Sequence, residues 1–211
     1  MIKKYILKKE TSLEYRNNTS LFLITPTMSV LIIVFPILSE NRFRVDNDLF
    51  LIVELLFLIL FTTLFSIRNP LDEQRLIKEL NFGSIQKKDY FYSKTVAELG
   101  IFYPQIILLL ILFSGFTNTS FNSSLIYICL SVLFFCINAI MINLFFQVFT
   151  SFNNRFVQFI IIVPIYIGFA ILIAPLWLGV NQEISNIYLL MYLGITLIIY
   201  AFTNFYLRSS K

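Results

Sequence analysis

The chain contains no histidine, one tryptophan, two cysteines and only six glycines and six prolines in 211 residues. The lack of histidine removes the commonest general base, the usual zinc ligand and the commonest axial haem ligand. The glycines stand singly at 83, 100, 115, 168, 179 and 194, so no G-x-x-x-x-G-K-[ST] loop exists to cradle nucleotide phosphates. The Gly-rich re-entrant loop of a carbonyl-lined ion filter is missing too. No H-E-x-x-H, G-x-S-x-G or C-x-x-C occurs. The chain is therefore expected to be no enzyme, and to bind no metal or cofactor itself. Charge is also scarce, at 13% of residues against ~25% in soluble domains.

What fills the space is apolar. Hydrophobic residues make up 58% of the chain, phenylalanine alone occurs 24 times, and the mean hydropathy is +0.80. A soluble domain of this length could not cover so much apolar surface. Lipid is the expected solvent. The basic start (Lys3, Lys4, Lys8, Lys9, Arg16) is followed by no small-residue cleavage site, so the first apolar run is expected to be a retained span. Cys129 and Cys136 lie two helical turns apart in one apolar stretch and are expected to pack as small apolar side chains. A net charge of +4 is spread over loops, which argues for an orientation signal rather than a nucleic-acid partner.

Six stretches, about 20–39, 49–67, 96–116, 124–149, 156–179 and 187–207, reach the ~20 apolar residues that a bilayer crossing requires. The expected fold is an all-α bundle of six transmembrane helices, one domain over residues 1–211. Short polar connections at 117–123 and 150–155 make the helices they join antiparallel. Fourteen of the sixteen Lys/Arg residues fall on one side of this layout; only Arg42 and Arg44 fall on the other, beside Glu40, Asp46 and Asp48. By the positive-inside pattern, both termini and the segment 68–94 face the cytoplasm or matrix.

That segment is the largest expected cytoplasmic feature. Asn69 can cap a helix, Pro70 suits its first position, and Asp72 and Glu73 favour its positive end. Leu71, Leu76, Ile77 and Leu80 recur at helical spacing, and Phe82-Gly83 ends the run. Ser84 can cap a second helix that carries Lys87, Lys88 and Lys94 and runs into the third span. Two readings stand: an interfacial helix lying among the headgroups, or a coupling helix that docks on a cytoplasmic ATPase.

Two carboxylates fall inside predicted spans, Glu54 in the second and Glu98 near the cytoplasmic start of the third. Glu98 is expected to pair with Lys94, one turn earlier, at the interface. Glu54 has no partner of opposite charge in its own span and reads equally as a functional or a structural group. Pro26, Pro36, Pro104, Pro164 and Pro175 fall within spans, where neighbouring helices tolerate them. Asn138, Asn143, Gln147 and Gln158 are expected to hydrogen-bond between helices, at about 0.6 kcal/mol each. Trp177, Tyr188 and Tyr206 are expected in the aromatic belt.

The layout resembles a type-2 ABC exporter permease, and within that group the CcmB family of haem exporter proteins in cytochrome c maturation. The resemblance rests on Glu10 and Arg16 followed by Phe35-Pro36, on the stretch Leu76 to Lys94 before the third span, and on Ile160-Ile-Ile-Val-Pro164 running to Leu172. The chain departs from that family in lacking a proline-rich stretch after the coupling region, and in having Gly168 near the place of a second span-five proline.

Several expectations follow from the resemblance. A separate CcmA-like ATPase subunit would bind the ATP, meeting Leu71, Arg75, Leu76, Lys78, Glu79 and Leu80. A CcmC-like haem-handling protein, a small CcmD-like subunit and a second permease copy would complete the assembly, with haem possible in the complex. The location would be a bacterial inner membrane or a mitochondrial inner membrane. Export of a peptide or lipid is the alternative within the class, and a non-transporting assembly scaffold is the alternative outside it.

Overall fold

Every described part of the chain is helical, and the helices are built from the long apolar runs. The computed structural model describes residues 8, 11, 12, 25–40, 56, 58–61, 87–117, 125–149, 155–177 and 182–209. They form α1 (Thr25–Glu40), α2 (Lys87–Thr117), α3 (Leu125–Phe149), α4 (Arg155–Trp177) and α5 (Gln182–Ser209), with further helical residues at 58–61. Stretches of α2, α3 and α5 are long and apolar enough to cross a membrane: Lys88–Leu112, Leu125–Phe146 and Ser185–Leu207. A shorter apolar helical stretch, Ile160–Ala174, lies in α4.

Contacts between named side chains set the helix directions. Tyr127 meets Asn186, Phe134 meets Tyr192 and Phe145 meets Phe202, so α3 and α5 run parallel. Trp177 bonds Ser131 and Tyr166 bonds Ala139, so α4 runs against α3. Tyr92 meets Tyr200 while Tyr103 reaches Cys129, so α2 runs against both α3 and α5. α1 packs on α2, and Phe102 of α2 stacks on Phe61 with ring centroids 5.5 Å apart.

The described outward surface is rich in large apolar side chains, and several polar groups lie within the otherwise apolar core. Leu108, Ile111, Leu125, Ile126, Ile171, Leu190, Ile198 and Phe205 face outward, while Ser93, Lys94, Glu98, Gln105, Ser131, Asn138, Ser185 and Thr203 are buried. Water as solvent would favour the opposite arrangement; a hydrocarbon solvent favours this one. Length, composition and this apolar exterior together point to a membrane protein.

Several part-buried hydroxyls are satisfied within their own helix, as a medium without water demands. Ser29, Thr95, Thr196 and Thr203 each donate to the carbonyl four residues earlier, at 2.7–2.9 Å. Cys136 is buried and both cysteines are free thiols.

Trp177 corrects one expectation. It is 1% exposed and lies in the core, not in an outward belt. Its indole nitrogen donates to the Ser131 hydroxyl at 3.0 Å, and that hydroxyl donates onward to the Ile128 carbonyl at 2.8 Å. A buried indole N–H needs such a partner, and Ser131 supplies it. Tyr206 is exposed as expected, with its ring against Phe145.

Candidate functional site: charged and polar groups inside the bundle

α2 carries the charged part of the interior. It begins at Lys87, nine residues before the expected start of the third span at 96. Asp89 in its first turn suits the positive end of the helix dipole. The earlier start places Lys94 in the same membrane-length helix as Glu98. Their Nζ and Oε1 atoms lie 3.8 Å apart, and their side chains are only 3% and 4% exposed. The Lys94 ammonium also sits 5.9 Å from the centre of the Tyr90 ring, a cation–π distance.

The height of this pair follows from the helix pairing. The Tyr103 hydroxyl donates to the Cys129 carbonyl at 3.4 Å. Because α2 and α3 are antiparallel, Lys94, nine residues before Tyr103, stands level with roughly residue 138, near the middle of α3. Tyr92 beside Tyr200 gives the matching height on α5. The pair is thus well inside the bundle rather than at its rim.

Gln105 extends the same face of α2. Eleven residues after Lys94 is about three turns, so Lys94, Glu98 and Gln105 form one stripe about 16 Å long. Gln105 is buried, and neither atom of its carboxamide has a hydrogen-bond partner among the described residues. Tyr103 lies about half a turn round from Lys94, so the stripe points nearer the Phe61 side of α2 than toward α3.

A second polar group lies between α3, α4 and α5. Asn138 and Tyr192 are both fully buried. The Asn138 side chain lies beside the Tyr192 hydroxyl, across the α3–α5 interface. Asn143 is buried about one and a half turns further along α3.

Of the ATPase-coupling and intramembrane carboxylate candidates named from sequence, Glu98 is the one among the described residues. Leu71, Arg75, Leu76, Lys78, Glu79, Leu80 and Glu54 lie outside the described residues. Tyr192, Gln105 and Ser93 were missed as polar interior groups. Tyr192 could have been found from the spacing of Ser185, Tyr192, Thr196 and Thr203, which puts all four on one side of a helix. Among the described residues, no group of three Asp, Glu or Cys side chains converges as metal ligands would. No family model, curated protein or solved structure matches the chain.

Proposed function

We propose that the chain is the membrane-embedded permease subunit of an ABC-type transport complex, driven by an ATPase on a separate polypeptide. The observation that carries this reading is a buried charged pair, Lys94 and Glu98, inside helices whose outward surface is apolar. Ionisable groups in such a position are costly and characteristically line a path or a moving element. They also sit on the helix that follows the amphipathic segment 69–80 in the chain, so force applied to that segment would enter the bundle through α2. The absence of a phosphate-cradling loop assigns the energy source to a partner.

Within this class, the CcmB resemblance supports a role in cytochrome c maturation. The partners would be a CcmA-like ATPase, a CcmC-like haem-handling protein, a CcmD-like subunit and a second permease copy, in a bacterial or mitochondrial inner membrane. Six spans with both termini on the cytoplasmic or matrix side complete the proposal.

Affinity purification of the full chain from native membranes tests it. Co-purification of an ATPase is expected, and Arg75→Glu with Lys78→Glu should uncouple hydrolysis from output. A chain that brings down no ATPase would favour the assembly scaffold instead. Loss of c-type cytochromes on deletion would single out the haem-related role over export of a peptide or lipid.

A further inference from the structure

The basic residues of α2 to α5 gather at one end of the bundle. Lys87 and Lys88 open α2, Arg155 opens α4 and Arg208 falls in the last turn of α5. Because α2 and α4 run against α3 and α5, their starts share a level with the ends of α3 and α5. Among the described residues of these helices, that end carries one acidic residue, Asp89, and it is buried. The opposite end carries Glu183 and, among the described residues, no Lys or Arg. Apolar spans also stop together at the basic end, at Lys88 in α2, Phe146 in α3 and Leu207 in α5. That end therefore meets one face of the membrane.

Tyr92 of α2 and Tyr200 of α5 face each other there, with ring centroids 5.8 Å apart. Lys88 lies one turn before Tyr92, and Asn204 lies one turn after Tyr200. In antiparallel helices those two steps run the same way, so Lys88 and Asn204 stand opposite each other. The Lys88 ammonium is 6.0 Å from the centre of the Tyr92 ring, and its side chain is partly exposed. It makes no ion pair with a carboxylate among the described residues. Asn204 Oδ1 is enclosed and accepts no hydrogen bond among the described residues. A cation and an unused acceptor thus stand across one groove.

The groove continues toward the membrane interior on apolar side chains. α5 buries only a narrow edge, through Ser185, Tyr192, Thr203 and Leu207, and leaves the rest of its apolar span outward. Leu193 and Leu197 of α5 and Val96 of α2 are exposed beside the tyrosine pair. At Gly100, one turn beyond Val96, an added side chain would meet nothing within 4 Å.

We propose that the groove between α2 and α5 is a binding site for an anionic phospholipid. Its phosphate meets Lys88, a headgroup hydroxyl donates to Asn204 Oδ1, and an acyl chain lies along Val96, Leu193 and Leu197. Basic side chains at a membrane face attract anionic lipid, and tyrosine rings favour the headgroup level. A free phosphate would satisfy Lys88 but leave the apolar bed uncovered, which selects the lipid. The site needs the chain to lie in a membrane and does not require the transport reading.

Native mass spectrometry of the full chain tests the site, in micelles holding equal amounts of phosphatidylglycerol and phosphatidylcholine. The parent should retain phosphatidylglycerol in preference. Lys88→Gln should lower that retention about fivefold, the weight of one basic residue near an anionic surface, and Lys88→Arg should restore it. Asn204→Leu changes no charge and should lower it too. Lys87→Gln removes the same charge about 100° round the helix and should cost less. A parent that retains both lipids equally would overturn the site. Equal losses from Lys87→Gln and Lys88→Gln would also overturn it, since they mean general attraction to the basic end. Displacement of the lipid by inorganic phosphate would overturn the choice of a lipid. The comparison of Lys88→Gln with Lys87→Gln decides alone should Asn204→Leu fail to fold.

Discussion

Removing the Lys94 ammonium tests whether the charged pair is truly interior. Both side chains are almost wholly buried and their charged atoms are 3.8 Å apart. At an effective dielectric of about 20, that separation corresponds to roughly 4 kcal/mol of attraction. Lys94→Met keeps the aliphatic stem but deprives the buried Glu98 carboxylate of this ammonium, a change that costs about 3–5 kcal/mol in a buried setting. A second substitution, Glu98→Gln, removes the stranded charge, so the double variant should recover most of the loss. An exposed pair at the headgroup level would contribute only about 0–1 kcal/mol, and single and double variants would then behave alike. The assay is thermal unfolding of the purified chain in one fixed detergent. Lys94→Met should lower the midpoint by on the order of 10 °C, taking the scaling for chains of this size, and Lys94→Met/Glu98→Gln should restore it to within a few degrees. A Lys94→Met midpoint equal to the parent's would refute the buried placement.

Other expectations follow from single contacts. Ser131→Ala leaves the Trp177 indole N–H without its acceptor and should cost about 1–3 kcal/mol. Because Trp177 is the single tryptophan, intrinsic fluorescence should report the change; an unshifted emission and unchanged midpoint would count against the bond. Leu197→Arg puts a charge on the outward face of α5, costing about 2.5–3.5 kcal/mol of insertion free energy near a span centre. Alkaline extraction should therefore release more of this variant from membranes than of Leu197→Phe, and equal retention would contradict a lipid-facing α5.

Much of the helix layout was legible because it depends on long apolar runs interrupted by polar punctuation. The expected spans at 124–149 and 156–179 lie within two residues of α3 and α4 at each end, since Asn- and Ser-containing clusters at 117–123 and 150–155 precede each run. The beginning of α2 is legible from the helix that Ser84 can cap, which carries Lys87, Lys88 and Lys94 into the third span, although a hydropathy count alone starts that span at 96. Lys87, Lys88, Asp89 and Lys94 lower the apolar average across its first two turns, although each is compatible with a helix. The interior was read less well. Trp177 looked like a belt residue because nothing in its own segment names Ser131, 46 positions earlier, as its acceptor. Pairing of Lys94 with Glu98 was visible from one-turn spacing, but its height in the bundle depends on how α2 aligns with α3, which is tertiary information.

The thin buried edge of α5 also bears on how this chain can vary. Across most of that helix's circumference, any bulky greasy residue serves as well as another, so identity there should drift freely between relatives while polarity stays fixed. Along the remaining edge, small hydroxylated residues and one tyrosine are held to size. A pairwise comparison with a distant relative should therefore find the conserved positions of α5 among its least hydrophobic ones.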